Sequence, residues 1–242
     1  MYIVVLCALL LIYFSFILLR ARFAENKMVN NVVYAVLACS CYIALVVIVG
    51  TDVGTKDWNF LNTLPTANVS PFTFCIAPLI LLLPEKIRRY FLTLISMLSL
   101  GMILSPIFNC IRNAVIHYAF HPHFLLDYIA HMLISLWGIY IVISDQTVKK
   151  VKDYIISGSI IVGVAVLMMI INAIFDTSFF GLSLSGKHNI YNVVLVDNSY
   201  LSAFIYFVGL VVVLVAGTFY SKFLAWLRSK IYVKDPAKAT EE

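Results

Sequence analysis

Seven apolar runs, separated by short polar or basic segments, constrain this chain more than any other feature of its sequence. Each run is long enough to cross, or nearly cross, a bilayer, which takes roughly 20 helical residues. The runs cover residues 2–19, 31–50, 65–84, 90–110, 124–144, 154–175 and 199–221. Of the 242 residues, 62% are hydrophobic and 12% are charged, whereas about a quarter of the residues of a soluble domain are charged. The sequence therefore predicts an all-α, polytopic membrane helix bundle with seven transmembrane helices.

Lysine and arginine are unequally distributed between the two sides of this predicted bundle. Of the 17 such residues, all but Lys56, Arg112 and Lys187 fall in the loops after the first, third and fifth runs or after the seventh run. Because cytoplasmic loops carry an excess of basic residues, the pattern predicts the N-terminus outside and the C-terminus inside. The first run has no basic residue before it and is followed by Arg20 and Arg22. That order is the reverse of a cleavable signal peptide and predicts a retained helix.

The chain divides into two parts at the end of the seventh run. Residues 1–222 form the predicted transmembrane domain, and residues 223–242 form an amphipathic and then polar cytoplasmic tail. We expect the tail and the basic loops to lie against anionic lipid headgroups of the inner leaflet. This placement accounts for the net charge of +5, so no nucleic-acid partner is predicted. Glycine loops that cradle phosphates and Cys-x-x-Cys pairs are absent from the sequence, and no cofactor is predicted.

A polar stripe runs along the fifth apolar run. His123, Asp127, His131 and Ser135 lie four residues apart, which places them on one face of a helix. Ionisable groups in hydrocarbon cost about 2.5–3.5 kcal/mol each on insertion scales, so they are functional candidates that should face the bundle interior. An acid one turn away, as Asp127 is from His131, can set the tautomer and basicity of a histidine. The alternative is a structural histidine that bonds a neighbouring helix.

The same stripe offers a second alternative, a metal site. His123 with Asp127, or Asp127 with His131, has a spacing that allows two side chains to share one ion. The third ligand would then come from another histidine of the outer side, namely His117, His121 or His188. No cluster here is as specific as a His-Glu-x-x-His motif, and no metal is predicted.

The start of the third apolar run carries the candidate nucleophiles. Ser70 lies on one face of the predicted helix, whereas Cys75 lies on the opposite face together with Asn68. Pro71 and Pro78 should kink this helix. An irregular, polar entrance at membrane depth is tolerated where it faces protein or a water-filled cavity. The alternative function of these small residues is close helix packing.

Further polar residues of the outer side are candidates for ligand binding. Arg112 follows the fourth run and is flanked by Asn109 and Asn113. It could bind a lipid phosphate or a carboxylate through two hydrogen bonds, or it could be an interfacial anchor. His117 and Tyr191, in the outer loops, complete the candidate binding set.

Several short segments resemble the YwaF-type bacterial membrane proteins. The Leu-Pro of that family is matched here by Leu64-Pro65, and its Leu-Leu-Thr-Pro by Ile103-Leu104-Ser105-Pro106. Its helix histidine is matched by His131, and its Gly-x-Asn-Tyr-Met-Tyr by the segment from Gly186 to Tyr191. The likeness covers roughly residues 60–220. That family is similar to eukaryotic transmembrane acyltransferases of ether-phospholipid remodelling and, more distantly, to androgen-induced fatty-ester hydrolases. The resemblance implies a bacterial plasma-membrane protein.

These relatives use a cysteine or threonine nucleophile near a helix start and a histidine two helices later. Their Asn-Pro-Cys resembles Asn68-Val69-Ser70 of this chain. The resemblance therefore implies that Ser70 occupies the place of the nucleophile and His131 that of the base. Three departures are that serine replaces the cysteine, that Ala67 stands where the bacterial segment commonly has a histidine, and that His188 and Asn189 replace Asn-Tyr.

Two functional hypotheses follow. In the first, the protein is a membrane-embedded lipid acyl-transfer enzyme, either an acyltransferase or an acyl-ester hydrolase. Ser70 attacks an acyl carbonyl and His131 takes its proton, while Asp127 orients His131 and Asn68 donates to the oxyanion. A Cys75–His131 pair is the fallback. In the second, the protein is a non-enzymatic receptor, carrier or assembly factor that binds a small ligand in an outer cavity. The enzyme hypothesis would be favoured if Ser70 or Cys75 lay within hydrogen-bonding distance of His131 around an enclosed apolar pocket.

Overall fold

The computed structural model describes residues 12–13, 26–52, 69–116, 122–175, 177, 179–182, 188–190, 194–196 and 199–231. Within them the chain forms six long or medium α-helices: α1 Lys27–Asp52, α2 Val69–Ile80, α3 Glu85–Ile116, α4 Pro122–Ile143, α5 Val151–Phe175 and α6 Ser199–Ile231. A 3-10 turn, Phe179–Gly181, follows α5, and two three-residue strands, β1 His188–Ile190 and β2 Val194–Val196, pair antiparallel before α6. The predicted helical class is confirmed, with this short hairpin as an addition.

Within the described residues, four helical segments are long and apolar enough to cross a membrane. They are Met28–Val47, Glu85–Leu104, Val151–Phe175 and Tyr200–Lys230. Two shorter apolar helical segments, Val69–Ile80 and Ile129–Ile143, lie beside them. Large apolar side chains cover the outward faces of these helices, as lipid-facing segments require. The chain is therefore an integral, multi-pass membrane protein. The first predicted run, 2–19, lies outside the described residues except for positions 12 and 13, which are helical.

One end of the bundle gathers the starts of α1 and α3 and the end of α4. The Tyr140 hydroxyl of α4 donates to the Asn30 carbonyl of α1 at 3.1 Å, and the Val148 N–H donates to Thr93 Oγ1 of α3 at 3.0 Å. Leu81, just after α2, borders the same end. We call this the basic end, because its described cationic residues are Lys86, Arg88, Arg89, Lys149, Lys150, Lys152, Lys222, Arg228 and Lys230.

The start of α5 and the last turns of α6 meet at the basic end as well. The Ser221 hydroxyl of α6 lies 3.2 Å from that of Ser96 on α3 and 3.3 Å from that of Tyr154 on α5. Two turns further along α6, Arg228 Nη1 pairs with Asp145 Oδ1 of the α4–α5 loop at 3.1 Å. Successive described helices thus alternate in direction. Helix α6 also continues without a break past residue 222, the predicted end of the transmembrane domain, to residue 231.

The third apolar run forms a shorter helix than the predicted span 65–84. Helix α2 has 12 residues, a length of about 18 Å, and residues 65–68 lie outside the described part. Pro71 falls in the first turn, where proline is tolerated. Pro78 lies inside the helix and has no N–H for the helical hydrogen-bond pattern. The chain then leaves the helix through i to i+3 bonds, such as Leu81 N–H to the Pro78 carbonyl at 3.2 Å, and Pro84 precedes α3.

Helix α3 packs backbone-to-backbone against two neighbours at glycines. A Cβ added to Gly138 of α4 would come 2.4 Å from the Ser99 Cβ, and one added to Gly217 of α6 would come 1.9 Å from the Met97 carbonyl oxygen. Neither distance is compatible with a side chain. Membrane helices associate largely through such close packing, because lipid removes the hydrophobic drive between them. Helix α3 is therefore the central helix that positions α4 and α6.

A single buried asparagine organises the loop at the opposite end of the bundle. Asn172 Nδ2 donates to the carbonyls of Phe179 at 2.9 Å and Leu182 at 3.0 Å. Its Oδ1 accepts from Thr177 Oγ1 at 2.7 Å and from the Phe179 N–H at 2.8 Å. The turn that these bonds hold has Phe180 at φ 58°. The Phe180 ring is buried and packs edge-on against Phe72 of α2 at 6.1 Å between centroids, so the loop covers the start of α2.

Candidate functional site

Ser70 of α2 and His131 of α4 meet in the half of the bundle away from the basic end. Ser70 Oγ lies 3.0 Å from His131 Nε2, across a sequence separation of 61 residues. This distance is within the range that a nucleophile and its base require. Ser70 is half-buried in the first turn of α2, and His131 is only 6% exposed. When the imidazole proton is on Nδ1, Nε2 accepts the serine O–H, which is the arrangement that a general base needs.

The imidazole ring is held by aromatic packing and the helix behind it by hydrogen bonds. The Phe74 ring, one turn after Ser70 on α2, stands perpendicular to the His131 ring at 88° and 5.8 Å between centroids. Ser135, fully buried, shares its hydroxyl between the His131 carbonyl at 2.8 Å and the Ser99 carbonyl of α3 at 3.1 Å. The prediction that the ionisable residues of the stripe face the interior is thus confirmed for His131, whereas the side chain of Asp127 lies outside the described part.

A thioether lies on the other side of the serine hydroxyl. Met102 Sδ of α3 is 3.5 Å from Ser70 Oγ, and the Met102 side chain is 5% exposed. Because sulfur is a weak acceptor, the imidazole nitrogen is the stronger partner for the serine proton. The low dielectric of the apolar surroundings strengthens a hydrogen bond placed there. Nothing in the sequence predicts that Met102 lies near Ser70. The four-residue spacing between Ser70 and Phe74, in contrast, could have predicted that Phe74 lies on the same face of α2.

Cys75, the fallback nucleophile, occupies a different environment. It is a half-buried free thiol, and five residues place it about 140° around the helix from Ser70. It packs against the core cluster that includes Tyr34 and Leu37 of α1. The structure therefore brings the serine to the histidine and packs the thiol into the contact between helices. The enclosed apolar pocket around this pair stays a prediction.

The remaining predicted site residues have side chains outside the described part of the chain. The backbone of Asp127 lies one helical turn before His131 in α4. The backbones of Asn109, Arg112 and Asn113 lie in the last turns of α3. Asn68, His117 and Tyr191 lie outside the described residues altogether. The roles predicted for these seven residues stay predictions.

The metal alternative depends mostly on undescribed side chains. Among the side chains that the structure describes, no group of three or more His, Cys, Asp or Glu residues could hold an ion. The other members of the proposed ligand sets lie outside that part, namely the side chains of His123, Asp127 and His188 and the whole of His117 and His121.

The described arrangement is one that nucleophilic catalysis uses. A hydroxyl, an imidazole nitrogen within hydrogen-bonding distance, and an apolar surround are the elements of an activated serine nucleophile. No protein-family model matches the chain, and neither a curated protein nor a solved structure matches it.

Proposed function

We propose that the protein is a membrane-embedded lipid acyl-transfer enzyme, an acyltransferase or an acyl-ester hydrolase, with Ser70 as nucleophile and His131 as base. The observation that carries this proposal is the 3.0 Å distance between Ser70 Oγ and His131 Nε2. A serine hydroxyl is a weak nucleophile until a neighbouring base takes its proton.

The reaction has two steps. As Ser70 Oγ attacks the acyl carbonyl of a lipid ester, His131 Nε2 takes its proton, and the C–O bond to the leaving alkoxide breaks as His131 protonates that oxygen. The acyl group is then an ester of Ser70. Water, or a hydroxyl of a second lipid, next loses its proton to His131 and attacks this ester, which releases the acyl group and returns the proton to Ser70. In the proposed site Asp127 orients His131, Asn68 donates to the oxyanion, and Arg112 contacts the headgroup.

The same proposal includes the family and the topology. The chain would be a YwaF-type protein of a bacterial plasma membrane, with seven transmembrane helices, the N-terminus outside and the C-terminus inside. The alternating directions of the described helices support an up-and-down bundle. The collection of cationic residues at one end supports placing that end inside. The Ser70–His131 pair then lies in the outer half of the membrane, and the basic loops and tail contact anionic inner-leaflet lipid.

A lipid-like fluorophosphonate probe tests the nucleophile. We expect it to label the parent chain and the Cys75→Ala variant, because the phosphorus reacts with an activated serine, and to leave Ser70→Ala unlabelled. Thr73→Val is the matched control, since it removes a buried neighbouring hydroxyl that donates to the Val69 carbonyl. The measurement is in-gel fluorescence of purified protein. Label kept in Ser70→Ala and lost in Cys75→Ala would transfer the role to the thiol. Equal labelling of every variant, or none of the parent, would favour the ligand-binding hypothesis.

The topology is tested by labelling single cysteines in a cysteine-free chain. Cysteines placed at Lys56, at Lys187 and next to Arg112 should react with an impermeant maleimide added to intact cells, because these positions lie outside in the proposed orientation. A cysteine at Lys150 should react only after the cells are opened. Reaction of the Lys150 position in intact cells would contradict the seven-span arrangement.

A further inference from the structure

A polar cavity lies at the basic end of the bundle, separate from the Ser70–His131 pair. It has a volume of about 560 Å³ and is bordered by the start of α1, the start of α3 and the end of α4. Tyr140 on its wall is nine residues from His131 along α4, or about 13 Å along the helix axis. The polar side chains that matter for its chemistry are Asn31, Tyr34, Glu85, Arg88 and Gln146.

The hydroxyl of Tyr34 lacks a hydrogen-bond partner among the described residues. Its side chain is 9% exposed and borders the cavity. The ring is fixed edge-on against Trp137, at 5.4 Å between centroids and 70°, and the tyrosine O–H finds no acceptor there. A buried polar group left without a partner costs about 1–3 kcal/mol. A ligand oxygen in the cavity would remove that cost for the tyrosine.

Arg88 brings a cationic side chain to the same cavity. The residue is half-buried, and within the described part of the chain it has no ion pair or hydrogen bond. The carboxylate of Glu85, which also borders the cavity, accepts from Arg89 at 2.8 Å. The side-chain amides of Asn31 and Gln146 add further donors on the wall. The cavity is therefore rich in donors, and its described cation, Arg88, forms no ion pair with a described carboxylate.

We propose that this cavity binds the phosphate of a phosphate ester through Arg88 and Tyr34. A guanidinium matches a phosphate with two parallel hydrogen bonds, and the additional oxygens accept from Tyr34 and the amides. The volume exceeds that of a phosphate alone and leaves room for the glycerol portion of a headgroup. Two sources share this chemistry, an anionic phospholipid of the leaflet at the basic end and a soluble phosphate ester. The proposal is independent of the chemistry at Ser70.

The test measures ligand retention by the full chain in detergent, by native mass spectrometry. One arm titrates phosphatidylglycerol and the other titrates glycerol phosphate. We expect Arg88→Gln to lower retention about tenfold, as loss of a charge-assisted hydrogen bond does, and Tyr34→Phe to lower it several-fold while the ring keeps its packing. Lys86→Gln is the control, because it removes one charge from the same helix at an exposed residue that does not border the cavity.

Stronger retention of phosphatidylglycerol would support the lipid as source, and stronger retention of glycerol phosphate would support the soluble ester. Arg88→Lys keeps the charge but loses the two parallel hydrogen bonds of a guanidinium, so this variant should retain an intermediate amount of ligand. It replaces Arg88→Gln in the test if that variant does not fold. Equal retention by the parent chain and Arg88→Gln would overturn the proposal. So would an equal loss in Lys86→Gln, because it would reveal a general charge effect.

Discussion

Replacing His131 with alanine should lower the turnover of acyl esters by about 10⁶-fold, as loss of the histidine base does in a serine protease triad. The reason is that the Ser70 hydroxyl, 3.0 Å away, then has only the Met102 sulfur as a described partner, and sulfur cannot take its proton during attack. Ser70→Ala should cost about as much. The double variant should be little worse than either single variant, because the two residues act as one unit.

The measurement is the initial rate on fluorogenic acyl esters of several chain lengths in mixed micelles. The fold should survive the substitution, because Ser135 bonds the backbone carbonyl of His131 and not its ring. Thr73→Val, which removes a buried hydroxyl three residues from Ser70 and leaves the pair intact, should keep a rate close to that of the parent chain. A folded His131→Ala variant with the parent rate would leave acyl transfer without a mechanism. The hypothesis of a ligand-binding protein would then be preferred.

Gly217→Ala should destabilise the bundle by about 3 kcal/mol, the upper part of the range for overpacking. The new Cβ would lie 1.9 Å from the Met97 carbonyl oxygen and 2.6 Å from its carbon, so α3 and α6 must move apart. These neighbours are backbone atoms of Met97, which cannot rotate away as a flexible side chain can. Contacts along the whole α3–α6 interface would loosen, including the Ser96–Ser221 hydroxyl pair at 3.2 Å.

Gly163 provides the matched control on α5, because a Cβ added there meets nothing within 4 Å. Gly163→Ala should be neutral or should stabilise the helix by about 0.5–1 kcal/mol, since alanine loses less backbone entropy than glycine. The measurement is the thermal unfolding midpoint of both variants in the same detergent. Equal midpoints for the two variants would show that α3 and α6 are not in backbone contact.

The sequence alone determined the class of the protein and the approximate position of every described helix. In lipid, a run of about 20 apolar residues satisfies its backbone hydrogen bonds only as a helix. The length of each apolar run is therefore sufficient to predict a helix there. The burial of His131 followed from the same physics, because an ionisable group on the lipid face is costly. Helix ends were predicted less well. Pro78 and the turn after it end α2 at Ile80, and α6 continues beyond its apolar run to Ile231.

Only the tertiary structure decided which candidate nucleophile meets the histidine. Ser70 and Cys75 are about 7.5 Å apart along the axis of α2. The sequence places His131 at a depth between them, so depth does not decide and the choice depends on the rotation of α2 about its axis. That rotation is set by contacts between distant parts of the chain, such as Phe74 against the His131 ring and Phe72 against Phe180. Sequence spacing reports the angle between two residues of one helix, but it does not report which neighbour either residue faces.

The glycines illustrate the same division. Gly163 and Gly217 both lie within apolar helical runs, and nothing in the surrounding residues distinguishes them. In the structure one faces open space and the other touches the backbone of α3. The sequence likewise did not predict the cavity bordered by Arg88 and Tyr34, because most of its residues come from three different helices, α1, α3 and α4. Local periodicity determines that a helix forms, whereas the choice of its neighbours depends on the packing of surfaces that are far apart in the chain.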